Sequence, residues 1–257
     1  MAMGPRVVVI GAGVSGLTTA VRQLDAGAQV LVRTATAPIG IVSAVAGAMI
    51  GPVFGDPTDP AVGWAHASDA VFRRLPGTPG IGVTVRRGRL LCTPAFGDQL
   101  PPWASTVPGF RPLGAANYPP GFRAGMWAEL PFADMPVHLG WRVGEVARMG
   151  GRIEQSPVAD LADAGWDVVV NCSGLGASAL ADDPQLVPVR GQHVIVDAAR
   201  LTEFVYEGGA DSPVLGVEVG IRPAAPCSGW NASTVGHQRS CTTTGTRERG
   251  HAFVGMR

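Results

Sequence analysis

The chain of 257 residues has no lysine, only four cysteines and two tyrosines, and no hydrophobic run as long as a membrane span. Its basic residues are all arginine, and these 20 side chains balance 20 acidic ones. The cysteines form no C-x-x-C pair and the five histidines lack metal-ligand spacing, which argues against zinc sites and disulfide frameworks. Balanced charge argues against nucleic acid and anionic membranes as partners. We therefore expect no metal, no nucleic acid and no membrane.

Small and apolar residues are abundant instead: 46% of the chain is hydrophobic and 36 positions are glycine. This content is ample for the core of one large domain or two small ones. The richness in alanine, glycine, valine, proline and arginine is typical of a GC-rich coding sequence. The first predicted strand begins close to Met1, which leaves no room for a signal peptide, and Gly255–Arg257 is no peroxisomal address. We therefore expect a cytoplasmic location.

The most informative stretch begins at Arg6. Val7–Ile10 is a β-branched run that predicts a strand buried on both faces. Gly11–Gly16 follows at once and fits G-x-G-x-x-G, whose glycines allow a tight turn, close approach to a pyrophosphate and close helix–strand packing. Leu17–Ala26 then predicts a helix, and Gln29–Val32 a second strand. The order indicates a nucleotide-binding βαβ unit, the alternative being a glycine-rich turn that binds nothing.

The acid that usually ends the second strand of such a unit, where it takes the ribose hydroxyls, is missing. Arg33 and Thr34 stand in that place. An arginine can meet a 2′-phosphate, which would indicate NADP, or it can simply face solvent. The glycine motif alone does not choose between NAD(P) and FAD.

Two further stretches have a composition that suits a cofactor site. Ser43–Pro52 is small and apolar, which lets the backbone lie flat on a large planar ligand, although an ordinary tight loop has the same composition. Trp166–Cys172 predicts another buried strand, and it runs directly into the small residues of Ser173–Ser178. A strand that ends in this way suits a backbone returning to the same cofactor.

Two other segments carry no site. Thr84–Leu91 predicts a hairpin of two strands whose arginines form a solvated edge. From Cys227 onward, hydrophobic periodicity is lost among threonine, serine, glycine and arginine, so residues 227–257 are predicted to be an unstructured tail.

Taken together, these residues resemble the FAD-dependent D-amino-acid oxidases. The most specific matches are Val169–Gly174 and Asp183–Gln192, which occur in this order behind the dinucleotide-binding start. The resemblance covers about residues 5–226, which defines an oxidoreductase region at 1–226. It implies an α/β fold, with a Rossmann-like FAD-binding domain interleaved with an incomplete mixed-sheet substrate domain.

The resemblance places the FAD-binding parts at about residues 5–55 and 150–180. It implies oxidative deamination of a D-amino acid to a 2-oxo acid, with ammonia and hydrogen peroxide as the other products. The partners would be a small D-amino acid and oxygen, and a homodimer is compatible with the resemblance.

Arg222 would clamp the substrate carboxylate, a role that suits a planar guanidinium. The residues implied to bind the cofactor are Gly11, Gly13, Val14, Ser15 and Gly16 at the pyrophosphate, Ser43, Ala48, Met49 and Gly51 on the flavin side, Val158 on the adenine side, and Ser173 and Gly174 closing over it.

The chain departs from the family pattern in several places. Ile41 and Val42 replace a threonine pair, which removes two hydroxyls near the phosphates. Between about Ser212 and Val214 the family carries several tens of residues that hold strands of the substrate sheet and the active-site tyrosines. The tyrosines of this chain do not match them.

A shift of the reading frame would explain why residues 227–257 lack hydrophobic periodicity. Ser240–Thr246 can be encoded so that a frame offset by two nucleotides reads V-H-N-Y-G-H, a segment that covers the flavin in the family. Residues 228–234 allow a family-like strand in the same frame. We therefore predict a frameshift close to Pro226 and Cys227.

Three alternatives remain open at this stage. The chain could be a non-catalytic or unstable remnant that at most binds FAD, a glycine- or sarcosine-type amine oxidase, or an NADP-dependent reductase. Arg33 is the one feature that favours the reductase.

Overall fold

The computed structural model describes residues 4–51, 60–92, 100, 104–105, 107–114, 117–118, 122, 124–162, 166–186, 188–196, 202–208, 220–221, 233–235, 238–246 and 253–256. Beyond residue 187, side chains are described only for 202–206. In chain order the elements are β1 (Arg6–Ile10), α1 (Val14–Asp25), β2 (Gln29–Thr34), α2 (Val42–Val45), α3 (Pro60–Phe72), β3 (Val83–Cys92), β4 (Arg111–Pro112), β5 (Ala124–Ala133), α4 (Met135–Arg148), β6 (Arg152–Gln155), β7 (Val168–Asn171), α5 (Ala177–Leu180), β8 (Pro188–Val196), β9 (Phe204–Gly208), β10 (Gly220–Ile221), β11 (Ser233–Val235), β12 (Gln238–Thr246) and β13 (Phe253–Met256).

The chain divides into two compact units and passes between them more than once. The first unit comprises Met1–Ala46, Met135–Arg190 and Thr243–Glu248. The second comprises Gly47–Asp134, Gly191–Thr242 and Arg249–Arg257. The α/β class with an interleaved chain is therefore confirmed. None of the helices in the described parts is long and apolar enough to span a bilayer.

The first unit is built on a parallel sheet with the strand order β6-β2-β1-β7. The predicted strand Val7–Ile10 is buried along its whole length, as expected for a central parallel strand. Helix α1 packs on β1 and β2, and α4 packs on α1 and β6. Residue Ile10 pairs with both Arg33 and Asn171, so the carboxyl ends of three strands meet at the loop that follows β1.

The second unit contains a mixed sheet with the order β4-β5-β3-β9. Strands β3 and β5 pair antiparallel over ten residues, and β9 pairs parallel to β3. One face of this sheet forms the core, with Phe204 fully buried and its ring centroid 5.1 Å from that of Phe132. The other buried residues of this core cluster are Leu90, Ala104, Val107, Met126, Ala128, Leu130 and Tyr206.

The predicted hairpin at Thr84–Leu91 is wrong. These residues lie within the continuous strand β3, and Gly88 is inside it rather than at a turn. A Cβ on Gly88 would run into the ring of Phe204. The glycine is therefore required by a neighbouring strand, and the residues around Gly88 in the sequence give no sign of this requirement.

A third sheet has the order β10-β13-β8-β12-β11, and three of its strands lie within residues 227–257. This differs from the expectation of an unstructured tail. The run Thr242–Thr244 lies in β12, which agrees with the preference of β-branched residues for strands. The boundary at residue 226 and the shifted reading frame stay predictions.

Candidate functional site

The loop between β1 and α1 can be built only with glycine at two of its positions. Gly11 has φ of 107°, a conformation that side-chain-bearing residues rarely adopt, and a Cβ there would run into the carbonyl of Cys172. A Cβ on Gly16 would run into the carbonyl of Gly11. These glycines let helix α1 approach the ends of β1 and β7 closely. The geometry therefore confirms the close helix–strand packing that the motif predicts for these glycines.

The N-terminus of α1 faces outward from this loop with its backbone donors open. Its N-cap is Gly13, whose place offers no side-chain acceptor, and its first turn carries no acidic residue. Within the described part of the chain, the amides of Ser15 and Gly16 have no hydrogen-bond acceptor. Open N–H groups and the positive end of the helix dipole favour an anion here.

One side chain does accept a hydrogen bond from the first amide of this helix. The backbone N–H of Val14 donates to Oγ of Ser43, with 3.2 Å between the two atoms. A Cβ built on Gly13 would lie 3.1 Å from the same Oγ and 3.7 Å from Cδ1 of Ile41. The short segment around α2 therefore lies directly against the glycine loop, with Ser43 as its polar contact.

The end of β7 completes the same edge of the sheet. The N–H of Cys172 donates to the carbonyl of Ile10 over 2.8 Å. Oδ1 of Asn171 accepts from the N–H of Ser173 at 3.2 Å and from its Oγ at 2.6 Å, which fixes the turn before Gly174. A Cβ on Gly11 would lie 3.1 Å from Cα of Ser173. The structure thus brings the glycine motif and the predicted Ser173–Gly174 stretch together.

Cys172 itself is a packing residue of this edge. Its Sγ lies 3.9 Å from Oγ1 of Thr19. Burial raises the pKa of the Cys172 thiol, which the contact with Thr19 offsets only in part. A raised pKa favours the neutral thiol, which is a weaker nucleophile than the thiolate.

Arg33, which stands in place of the ribose-binding acid, forms hydrogen bonds within the chain. Nη2 of Arg33 donates to Oγ of Ser156 at 2.7 Å and to the carbonyl of Pro157 at 3.2 Å. The carbonyl of Arg33 accepts from the N–H of Gly11 at 2.7 Å. The neighbouring Val158 packs against Val8, Ile10 and Leu31 on one face of the parallel sheet. Arg33 therefore joins the glycine loop to the predicted adenine-side segment, in addition to any contact with a ligand.

The remaining flavin-side candidates belong to the second unit. Ala48 has φ of 48°, and its carbonyl accepts from the N–H of Ala133 at 3.0 Å. Met49 forms an isolated bridge with Phe132, and a Cβ on Gly51 would lie 3.4 Å from Leu130. This segment is therefore held along β5. Its placement against the glycine loop stays a prediction.

The substrate side is only partly represented. Arg222, the predicted carboxylate clamp, lies outside the described residues. Tyr118 donates its hydroxyl to the carbonyl of Leu113 at 2.9 Å, and Tyr206 is buried in the core of the mixed sheet. Both tyrosines have structural positions, which agrees with their failure to match the active-site tyrosines. The parts of the chain that are described contain no cluster of three or more potential metal ligands.

Two contacts were not foreseen from the sequence. Asn171 was read only as the end of a strand, yet its side chain fixes the turn at Ser173. Ser43 was assigned to the flavin side, yet its hydroxyl lies at the first amide of α1. An asparagine or serine beside a glycine-containing turn is a local signal for such bonds. The partner of Ser43 is 29 residues away and has no local signal.

Comparison with known proteins gives the family. The family of FAD-dependent oxidoreductases designated DAO matches residues 6–225. A D-amino-acid oxidase of Streptomyces coelicolor is 40% identical over 208 residues, covering 80% of this chain and 63% of that protein. A D-amino-acid oxidase of Rubrobacter xylanophilus is 38% identical over 205 residues, covering 79% of this chain and 62% of that protein. The chain therefore spans less than two thirds of the length of these relatives.

Solved structures with a similar fold are more distant in sequence. A glycine oxidase of Geobacillus kaustophilus has a TM-score of 0.63 at 17% identity, covering 95% of this chain and 73% of that one. An L-amino acid deaminase of Proteus myxofaciens has a TM-score of 0.67 at 15% identity, covering 86% and 61%. At this identity the likeness concerns the fold alone.

Proposed function

Because the chain belongs to the DAO family of FAD-dependent oxidoreductases, we propose that it is a D-amino-acid oxidase-like flavoprotein. The observation that carries the proposal is the edge of the parallel sheet where Gly11, Gly16 and Ser173 meet beneath the N-terminus of α1. The identity of 40% to a D-amino-acid oxidase supports the substrate class. The shortened substrate region leads us to expect weak activity or none in this chain.

The residues present fit FAD. Cβ atoms would fill the loop at Gly11 and Gly16, so the glycines keep the helix N-terminus close to the strand ends, where its amides can reach a pyrophosphate. The first turn of α1 carries no acid that would repel phosphates. Gly13, Val14 and Ser15 would hold the pyrophosphate, and Val158 the adenine side. The flavin would lie against Ala48, Met49 and Gly51, with Ser173 and Gly174 over the cofactor.

Bound FAD would supply the acceptor for the two electrons and the hydrogen removed from Cα of the amino acid. The remaining work of the chain is to bind and orient the substrate. Arg222 would pair with the substrate carboxylate through two parallel hydrogen bonds. The overall reaction consumes a D-amino acid, oxygen and water and yields a 2-oxo acid, ammonia and hydrogen peroxide. We further propose that the chain acts in the cytoplasm and can form a homodimer.

Two alternatives have an observation in their favour. A non-catalytic or unstable remnant is favoured by the structural positions of Tyr118 and Tyr206, neither of which matches an active-site tyrosine. A glycine- or sarcosine-type amine oxidase is favoured by the structural likeness to a glycine oxidase, although that likeness extends only to the fold.

The test is to purify the full chain, add FAD, remove the excess and record the absorbance spectrum. Near-stoichiometric flavin bands are expected, and their absence would leave the remnant alternative. Peroxide formation is then followed with D-alanine, L-alanine, glycine and sarcosine. Turnover of D-alanine alone supports the proposal, and preference for glycine or sarcosine supports the amine oxidase. An Arg222→Ala variant should raise the KM for D-alanine without changing the flavin spectrum.

A further inference from the structure

We infer that the face of the mixed sheet opposite its Phe204 core is a binding site for a small anion with adjacent phosphate groups. Four residues define this arginine face: Arg87, Arg89, Arg111 and Trp127. None of them belongs to the predicted FAD site, so the inference does not depend on the proposed function. Its starting point is β3, which is one continuous strand between β5 and β9 and not a solvated hairpin edge.

Strand register brings the four side chains to one face. Arg87 and Arg89 are two residues apart on β3, so their side chains leave the sheet on the same side. Arg89 pairs with Trp127 on β5, and Trp127 pairs with Arg111 on β4. Residues directly opposite each other on neighbouring strands carry their side chains on the same face. Three adjacent strands therefore place Arg89, Trp127 and Arg111 in one row, with Arg87 beside it.

The indole of Trp127 orients two of the cations. Cζ of Arg87 lies 4.1 Å from the centroid of the Trp127 ring, and Cζ of Arg89 lies 5.9 Å from it. Stacking on a ring engages the flat face of a guanidinium and leaves the N–H groups around its rim available. The ring therefore holds the guanidinium groups without occupying their hydrogen-bond donors.

The cations of the arginine face have no acceptor within the residues that the structure describes. No hydrogen bond or ion pair there involves the guanidinium of Arg87, Arg89 or Arg111. Nε of Arg89 is hidden from water and has no hydrogen-bond partner. Glu129 pairs with Arg87 in register, yet no ion pair between their side chains occurs in the described part of the chain. A multivalent anion would complement this excess of positive charge.

A phosphate group suits this arrangement better than a carboxylate. Arginine pairs with either group through two parallel N–H···O bonds. A phosphate monoester, however, carries a charge of about −1.5 to −2 near neutral pH, whereas a carboxylate carries a single negative charge. Neighbouring strands lie about 4.8 Å apart, so the row from β3 to β4 extends over roughly 10 Å. Adjacent phosphates supply dense charge along such a row, and a single carboxylate does not.

The experiment titrates inorganic pyrophosphate into the full chain by calorimetry at low ionic strength, with citrate as the polycarboxylate probe. Arg87→Gln and Arg86→Gln form the main pair, because the two residues are adjacent, lose the same charge and lie on opposite faces of β3. We expect Arg87→Gln to bind pyrophosphate roughly tenfold to a hundredfold more weakly than the unmodified chain, the range for a hydrogen bond to a charged group. Arg86→Gln should bind it nearly as tightly as the unmodified chain.

Two further variants separate charge from geometry. Arg87→Lys keeps the charge but loses the planar fork, so its affinity should lie between those of Arg87→Gln and the unmodified chain. Trp127→Leu leaves the net charge unchanged and should weaken binding, because the guanidinium groups lose the ring that orients them. Trp64→Leu, at an exposed position on α3, is the matched control and should have no effect. Thermal unfolding checks that each variant is folded.

Four outcomes would overturn the inference. The unmodified chain could show no binding of pyrophosphate. Equal losses in Arg86→Gln and Arg87→Gln would mean that the effect comes from net charge and not from a site. Binding that none of the variants of the arginine face weakens would place pyrophosphate elsewhere, such as at the glycine loop. Citrate bound as tightly as pyrophosphate would exclude adjacent phosphates as the recognised group.

Discussion

The two units of this protein differ in how each one is packed internally. In the first unit, a buried parallel sheet ends in a loop where backbone carbonyls and amides meet at close range, as at Gly11, Gly16 and Cys172. In the second, a mixed sheet is covered on one face by large side chains, with Phe204 at the centre. Glycine allows close backbone packing in the first unit, and at Gly88 it makes room for a ring in the second. A substitution should therefore affect ligand binding in one unit and mainly stability in the other.

The largest effect is expected from Phe204→Ala. The ring is fully buried against Phe132, so its removal should cost about 3–5 kcal/mol of unfolding free energy. Val205→Ala, one residue along and only half-buried, is the control and should cost far less. Urea unfolding measures both. Equal losses would mean that this face of the sheet is not the core of the second unit.

Gly11→Ala should come next and should distinguish strain from crowding. Gly11 and Gly27 both have positive φ, of 107° and 84°, but only Gly11 has backbone atoms where a Cβ would stand. At Gly27 we expect a loss of about 1–2 kcal/mol from strain alone, with FAD binding intact. At Gly11 we expect a larger loss of stability and no detectable FAD binding. Similar behaviour of the two variants in urea unfolding and FAD titration would show that backbone crowding at Gly11 has no effect beyond strain.

A smaller effect is expected from Arg73→Ala. Nε of Arg73 lies 2.6 Å from Oδ2 of Asp69, and its Nη2 donates to the carbonyl of Glu129 over 2.6 Å, which ties α3 to β5. The ion pair is largely shielded from water, so we expect a loss of about 2 kcal/mol in thermal or urea unfolding. Arg74→Ala, at an exposed neighbouring position, is the control. No difference between the variants would show that the tether contributes nothing.

The smallest effect is expected from Asp167→Asn at the edge of the parallel sheet. Oδ1 of Asp167 lies 2.8 Å from Nη2 of Arg6, and both side chains are about half exposed. The hydrogen bond from the Arg6 side chain lowers the pKa of Asp167. The pair therefore stabilises the fold above the pKa of an unfolded aspartate and loses this effect as pH falls through the lowered folded value. Thermal unfolding should show a small deficit for the variant at pH 7 that shrinks as pH falls below about 4, the usual pKa of an aspartate, and that also shrinks with added salt. A deficit that grows in acid would contradict this sign.

The parts of the fold that were predictable are those in which neighbours in sequence are also neighbours in space. Val7–Ile10, the glycines after it and the helix that follows form one continuous stretch, so their pattern alone indicated the βαβ unit. The strand that runs into Cys172 was also predictable, and β7 does lie beside β1. Its predicted burial was wrong, because Val168 is exposed and the other residues of β7 are half-buried.

The parts that were not predictable depend on residues far apart in the chain. The hairpin predicted at Thr84–Leu91 is wrong, because Gly88 is required by the ring of Phe204 in another strand and not by a turn. The bond from Val14 to Ser43 has no signal in the local sequence for the same reason, since Val14 lies on a separate helix. Arg33 was recognised as unusual, but its bond to Ser156 follows from the pairing of β2 with β6. Local composition shows that a residue is small or polar. Only the register of the strands shows which distant residue it contacts.

The pairing of β1 with β7 also has a consequence for the order of events during synthesis. Val8 pairs with Val169, so the strand that completes the glycine loop leaves the ribosome long after the loop itself. At translation rates of about 5–20 residues per second, roughly 8 to 32 s pass between the synthesis of β1 and that of β7. During that time one edge of β1, which is apolar from Val7 to Ile10, has no neighbouring strand and can pair with other nascent chains. Slowing translation between codons 34 and 168 should therefore increase aggregation of the nascent protein, and a chaperone that shields strand edges should reverse the increase.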